Sequence, residues 1–314
     1  MKLRTQLALA VVGVTIGALA FTQSASAAGS AYADMVGMRA DGTLWVYRNN
    51  GKTIAPYSNG AKQIGQGWQG FDQIHLADLN GDRRAEAIGV NLAGKSADKV
   101  TTNIWAYKHS GSTTTPYSKS QHFSTKNTSA TTQAGVAFGD TLSFNGTNCV
   151  GRANMISINS NSTSQGDLTQ VLQNNSYTNN NAIGFSQSLA NKSANWGSSF
   201  KASDYTQYRL GDVTGNGCDD IVALKKNGTL WLFEATKTGA FTTPGRQIGH
   251  GWSNFDTVLT GDMNADGYAD IVARNKNGTL WYYANSGNRA APYSSGKQIG
   301  HGWNIFTKLM LGEV

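Results

Sequence analysis

Between residues 257 and 311 apolar positions alternate with polar ones in short runs, and Gly and Asn punctuate the runs. Asp270-Ile-Val-Ala-Arg274, Gly278-Thr-Leu-Trp-Tyr-Tyr283, Lys297-Gln-Ile-Gly300 and Ile305 to Leu311 each predict a strand. The same pattern lies elsewhere in the chain. Gly211-Asp212 returns at Gly261-Asp262, 50 residues on, and Trp231 returns as Trp281. Trp45, in Asp41-Gly-Thr-Leu-Trp45, is a third copy. Gln-Ile-Gly-His-Gly-Trp252 returns at Trp303, and with Gln66 for His at Trp68. All eight tryptophans fall on two repeat positions: Trp45, Trp105, Trp231 and Trp281 on the first, Trp68, Trp196, Trp252 and Trp303 on the second. A repeat of this length with four strands predicts one blade of a β-propeller, and an all-β fold class.

The two ends share one repeat. Lys308-Leu-Met-Leu-Gly-Glu313 matches Thr257-Val-Leu-Thr-Gly-Asp262, and Tyr32-Ala-Asp34 matches Tyr268-Ala-Asp270. Pairing of the first and last strands would close a ring and remove exposed sheet edges. Loop starts at Asp78, Asp140, Asp212, Asp262 and Glu313 give five blades. A divergent blade hidden in the Asn/Ser/Thr-rich stretch at about 110–203 would make six.

Lys2 and Arg4 precede an apolar run, Leu7 to Phe21, and Ala25-Ser-Ala27 is a small-x-small cleavage pattern. Residues 1–27 therefore read as a secretory signal, and 28–314 as a single propeller domain. No later segment is apolar enough to span a bilayer, which speaks against membrane insertion. Without the leader the net charge falls from +7 to +5, with no Lys/Arg cluster. That excludes nucleic acid as a natural partner and leaves a weak attraction to anionic cell-wall polymer. An exported chain with two cysteines in repeat-equivalent loops predicts a Cys149–Cys218 disulfide.

These motifs resemble the VCBS/FG-GAP repeat family, the integrin-α-like propellers of secreted actinobacterial proteins. The resemblance rests on Asp-x-(Asn/Thr)-x-(Asp/Asn)-Gly-x-x-Asp followed by a β-branched strand, in phase with both tryptophan motifs. It implies calcium held by the acidic loops, and a binding or accessory role, in some members toward carbohydrate.

Nine of the chain's 19 acids lie in three such loops. Like charges so close call for a cation, and calcium takes six to eight oxygen donors from alternate positions and a backbone carbonyl. The third loop offers Asp262, Asn264, Asp266, the carbonyl of Tyr268, and Asp270. The second offers Asp212, Thr214, Asn216, the carbonyl of Cys218, and Asp220. The first offers Asp78, Asn80, Asp82, the carbonyl of Arg84, and Glu86, with Arg83 where the others have glycine. Such calcium would be structural. The alternative is that the loops are Asx-turns which hold the hairpins without metal.

Catalytic chemistry finds no foothold. His250 and His301 are repeat-equivalent, whereas a catalytic base should be unique, and neither a Gly-x-Ser-x-Gly elbow nor a His-Glu-x-x-His motif occurs. The chain reads as a non-enzyme. Sugar recognition needs aromatic faces beside polar groups, which Trp68, Trp252 and Trp303 with Gln66, His250 and His301 would supply. The competing reading packs each tryptophan between blades, most of all the Thr-Leu-Trp set. The function expected is a secreted, calcium-stabilised, lectin-like module for glycans. The alternative is an adaptor that binds another secreted protein in a toxin-type assembly, and a secreted hydrolase is the third reading.

Overall fold

The computed structural model describes residues 32–96, 99–127, 132–141, 149, 151–160, 168–174, 185–186, 194–195, 204–236, 241–242 and 244–314. The expected leader at 1–27, Trp196 and much of 110–203 lie outside them.

The described residues form five sheets. The first holds β1 (Asp34–Arg39), β2 (Leu44–Tyr47) and β3 (Ala61–Gly65). The second holds β4 (Gln73–Ala77), β5 (Glu86–Ser96), β6 (Lys99–His109) and β7 (Tyr117–Asn127). The third holds β8 (Thr132–Gly139), β9 (Asn154–Ser160) and β10 (Leu168–Asn174), with β11 (Phe185–Ser186) and β12 (Ala194–Asn195) both paired to β10. The fourth holds β13 (Tyr205–Gly211), β14 (Asp220–Lys225), β15 (Leu230–Phe233) and β16 (Arg246–Gly249). The fifth holds β17 (Phe255–Gly261), β18 (Asp270–Asn275), β19 (Leu280–Tyr283) and β20 (Lys297–Gly300). The last strand, β21 (Phe306–Gly312), pairs antiparallel with β1, Met35 opposite Leu311, and completes the first sheet.

The strands form where the alternation predicts them, and the turn chemistry is local. In Asn277-Gly278-Thr279 the Asn277 Oδ1 accepts from the Thr279 amide at 3.0 Å and from its hydroxyl at 2.7 Å. The Thr279 hydroxyl then accepts from the Trp281 indole N–H at 3.0 Å. Asn227-Thr229-Trp231 and Asp41-Thr43-Trp45 repeat this relay. The recurring (Asn/Asp)-Gly-Thr-Leu-Trp is thus a self-capped hairpin.

Five apolar cores lie at five sheet-to-sheet interfaces. Val36, Leu44, Ile64 and Met310 of the first sheet pack with Ile74 and Ala87 of the second. Met35 and Phe306 pack with Val272 and Leu280 of the fifth. Ile88 and Ile104 meet Met155, Ile156 meets Ile221, and Val222 meets Ile271 at the others. The strands β4, β8, β13, β17 and β21 touch in the succession β21–β4–β8–β13–β17–β21. The molecule is an all-β propeller with four blades that are four-stranded sheets.

This corrects the expectation of five four-stranded blades, with six as the alternative. The third sheet has five strands, two of them only two residues long. Its stretch lacks the self-capped turn and the paired tryptophan motifs that fix strand ends elsewhere. Polar Asn/Ser/Thr runs specify register weakly. No sixth sheet occurs among the described residues.

The Cys149–Cys218 bridge is present, Cα atoms 5.2 Å apart, and ties the third sheet's loop to the fourth sheet's acidic loop. It closes a separation of 69 residues. The double variant Cys149→Ser/Cys218→Ser is expected to lose about 2–4 kcal/mol in urea unfolding. An unchanged midpoint would show the bridge to be idle.

Candidate functional site

The acidic loops are held by their own carboxylates. Asp262 accepts from the amide of Gly267 at 2.9 Å, and Asn264 Oδ1 from the amide of Asp266 at 3.0 Å. Asp266 accepts from the amide of Tyr268 at 2.9 Å and from the Asn264 side-chain amide at 2.8 Å. In the second loop Asp212 accepts from Asn216 and Gly217, and Asn216 from Cys218. In the first, Asp78 accepts from Gly81 and Arg83, and Asp82 from Arg84. Arg83 adopts φ 65°, the left-handed region that Gly217 and Gly267 occupy at φ 83° and 86°. The strain expected from that substitution is therefore real.

The last acid of each loop does something else. Asp270 is fully buried: one oxygen accepts from Asn285 N–H at 2.7 Å, the other from Met263 N–H and the Tyr282 hydroxyl, both at 3.0 Å. Asp220 accepts from Ala235, Val213 and Thr214 in the same way, and Glu86 from His109, Leu79 and the Asn80 side chain. Asp34, which the loop motif did not flag, takes the Asn49 amide and an Arg48 ion pair at 2.6 Å. Burial pushes the Asp270 and Glu86 carboxyls up to about 7 and Asp220 up to about 6, against the amides that donate to them. Each is a latch that binds its loop to the end of the third strand of its own sheet.

A second set of bonds joins sheets. The amides of Ala33, Ala85, Ala153, Asp219 and Ala269 donate to the carbonyls of Asp262, Glu313, Asp78, Asp140 and Asp212, at 2.7–2.8 Å. Each runs from one sheet to the one before it, and the first sheet reaches the fifth. Side chains reinforce two junctions: Asn49 Nδ2 donates to the Met263 carbonyl and Asn285 Nδ2 to the Val213 carbonyl.

Of the calcium donors expected in the third loop, Asp262, Asn264, Asp266 and Tyr268 lie in the turn between β17 and β18, with the Asn264 and Asp266 side chains exposed. Asp270 has both oxygens engaged inward. Among the described residues no group of three or more His, Cys, Asp or Glu side chains is placed to hold a metal ion.

The two tryptophan sets differ in burial, in the opposite sense to that expected. Trp68, Trp252 and Trp303 are only 4, 6 and 7% exposed. Each lies against a tyrosine of the next sheet, Tyr107, Tyr283 and Tyr47, with ring centroids 4.6 Å apart in every case. Phe71, Phe255 and Phe306 flank them as well. No face remains for a sugar, which corrects their assignment as platforms. The glycines serve the same packing. A Cβ on Gly65, Gly249 or Gly300 would meet the indole nitrogen at 2.6–2.8 Å, and Gly67, Gly251 and Gly302 turn the chain at φ 77–82°. Gln66, His250 and His301 stay exposed, without an aromatic face from this set beside them.

The Thr-Leu-Trp set is half-buried instead. Cross-strand register places Trp45 opposite Gln63, Trp231 opposite Gln247, Trp281 opposite Gln298, and Trp105 opposite His122. All three glutamines are exposed. Arg39 lies 4.2 Å over the Trp45 ring and Lys225 4.0 Å over Trp231. The period-two alternation carried this signal: Leu44 and Val46 point inward, so Trp45 between them faces the other way. A Pro-Tyr-Ser repeat also went unread. Tyr57, Tyr117 and Tyr293 are pinned by their hydroxyls to Met263 Sδ and to the carbonyls of Ala85 and Ala269.

A channel of about 410 Å³ runs between β4, β8, β13, β17 and β21, and His75 and Arg209 face into it. Burial and the nearby Arg209 push the His75 imidazole down to about 3, so it is neutral. At the acidic-loop end a second cavity of about 440 Å³ is rimmed by Asp78, Asp140, Asp219, Asp262 and Glu313.

Among known families, the model of the FG-GAP-like repeat matches residues 212–273, which span the second and third acidic loops. No curated protein matches the chain. A solved structure titled "The de novo evolutionary emergence of a symmetrical protein is shaped by folding constraints" is similar over 88% of this chain and 98% of its own, at 12% identity and a TM-score of 0.46.

Asp270→Ala would orphan three donors, two of them buried backbone amides, and is expected to cost about 3 kcal/mol or more. Asp266→Ala, on the exposed rim of the same loop, should cost under about 1 kcal/mol in calcium-free buffer. Urea unfolding of the pair separates latch from rim. Equal losses would refute the latch.

Proposed function

We propose that this all-β propeller, whose residues 212–273 match the FG-GAP-like repeat, is a binding module, lectin-like and without catalytic activity. The observation that carries the reading is the Trp–Gln pair at one register position in three sheets, Trp45/Gln63, Trp231/Gln247 and Trp281/Gln298. An indole packs on the C–H face of a pyranose while a primary amide reads its hydroxyls. Repetition on several blades adds avidity to weak single sites. Trp281 is the best candidate, because among the described residues no cation covers its ring.

The scaffold in this reading is one closed ring in which the irregular third sheet stands between the second and the fourth. The head-to-tail carbonyl bonds and the β1–β21 pairing support it. Export is part of the same reading. The disulfide supports it, and among the described residues no helix is long and apolar enough to cross a membrane. Calcium, where bound, would sit on Asp262, Asn264 and Asp266, neutralise the rim and stiffen the loop.

Trp281→Ala is expected to weaken binding of a neutral oligosaccharide about fivefold, the worth of roughly 1 kcal/mol of stacking, with little change in melting temperature. Glycan-array and calorimetric measurements check this. No sugar bound at millimolar concentration, with stable co-purification of another secreted protein, would replace the lectin by the adaptor. EDTA should lower the parent's melting temperature by several degrees and that of Asp262→Ala by less. Identical melting of the parent with and without EDTA would remove the calcium.

A further inference from the structure

The channel between the inner strands holds a charge that the fold does not use. Arg209 projects from β13 into the cavity of about 410 Å³. Its guanidinium donates to the Tyr208 carbonyl at 2.7 Å and to Gln207 Oε1 at 3.4 Å, both neutral groups. Among the described residues it has no carboxylate partner. The four ion pairs there belong to Arg48, Arg246, Arg274 and Arg289. Arg209 is half-buried, and an arginine in a confined site is ordinarily paired with a carboxylate.

The other groups that face the channel do not cancel the charge. His75 on β4 is neutral and bonds Gln73 at 3.3 Å. Asp256 on β17 is already paired with Arg274 at 2.8 Å. Lys308 on β21 adds a second cation and is tied to the Phe71 carbonyl. Asp72, at the start of β4, is exposed and accepts the Leu92 amide. The channel wall therefore presents a cation beside the side chains of Gln73, Gln207 and Thr257, while Phe138 and Tyr205, which also line it, are buried in the cores. Its volume lies within the roughly 300–1,000 Å³ usual for small-ligand pockets.

We propose that the channel binds a compact hydroxylated monocarboxylate, of the size and chemistry of a hexuronic acid, with Arg209 as the counter-charge to its carboxylate. The guanidinium fork matches a carboxylate bidentately, and the amides and hydroxyls read the ring substituents. This site is separate from the Trp–Gln surface, and either can exist without the other.

Glucuronate, glucose, acetate and sulfate are the probes, with the full chain. Glucuronate is expected to raise the melting temperature, to bind in calorimetry, and to shift the His75 ring resonances. Glucose, acetate and sulfate at equal concentration should bind at least tenfold more weakly. Arg209→Gln should weaken glucuronate at least tenfold and melt no lower than the parent, and Trp281→Ala should leave glucuronate binding unchanged. Four results would overturn the proposal: no binding, binding that leaves the His75 resonances unmoved, equal binding by acetate or sulfate, or full binding by Arg209→Gln. The His75 readout needs no variant, so a poorly folding Arg209→Gln leaves the test intact.

Discussion

The structure depends on a carboxylate buried at the start of the second strand of each four-stranded sheet. Asp34, Glu86, Asp220 and Asp270 are 0–1% exposed, and each takes an amide from the end of the third strand of its own sheet or just beyond it. A carboxylate out of water is expensive, and only several donors at once offset it. The fold supplies those donors by bending the acidic loop inward, so the loop's conformation and the sheet's edge are fixed together. The loop so fixed offers its first carbonyl to the next sheet. A local electrostatic demand thereby becomes a contact between blades.

Packing follows from that frame. With sheets held at their acidic ends, the opposite ends are closed by the Gly-x-Gly-Trp element. Its first glycine makes room for the indole and its second turns the chain by a left-handed conformation that side chains resist. Each buried tryptophan then meets a tyrosine of the following sheet. The two ends use different chemistry, ionic on one side and aromatic on the other, and the apolar cores lie between. Deleting either end would leave sheets free to twist past one another.

Function belongs to the groups the frame does not consume. In the Trp–Gln pairs the glutamines stay exposed, while the indoles of Trp45 and Trp231 also pack against apolar cores. Arg209 stands in a channel whose walls are otherwise satisfied by neighbouring strands. The acidic loops, the most conspicuous feature of the sequence, divide into an inner acid that holds the sheet and an outer rim whose carboxylates accept from the loop's own amides.

Much of this was legible in the residues. The period-two alternation and the fifty-residue repeat determined the strands, the shared repeat at the two ends, the pairing of β1 with β21 and the disulfide, because these depend on local pattern and on equivalence between copies. The strain at Arg83 could be read from one missing glycine. Which face of a blade is covered could not, since a tryptophan at a fixed repeat position suits a core and a surface equally. Only the tertiary structure decided that Trp68, Trp252 and Trp303 are enclosed, that Asp270 and its equivalents turn inward, that the third sheet departs from the four-stranded plan, and that Arg209 meets His75 across a channel. Each of those outcomes rests on contacts between residues far apart in the chain, and burial is set by the neighbours that fold against a side chain.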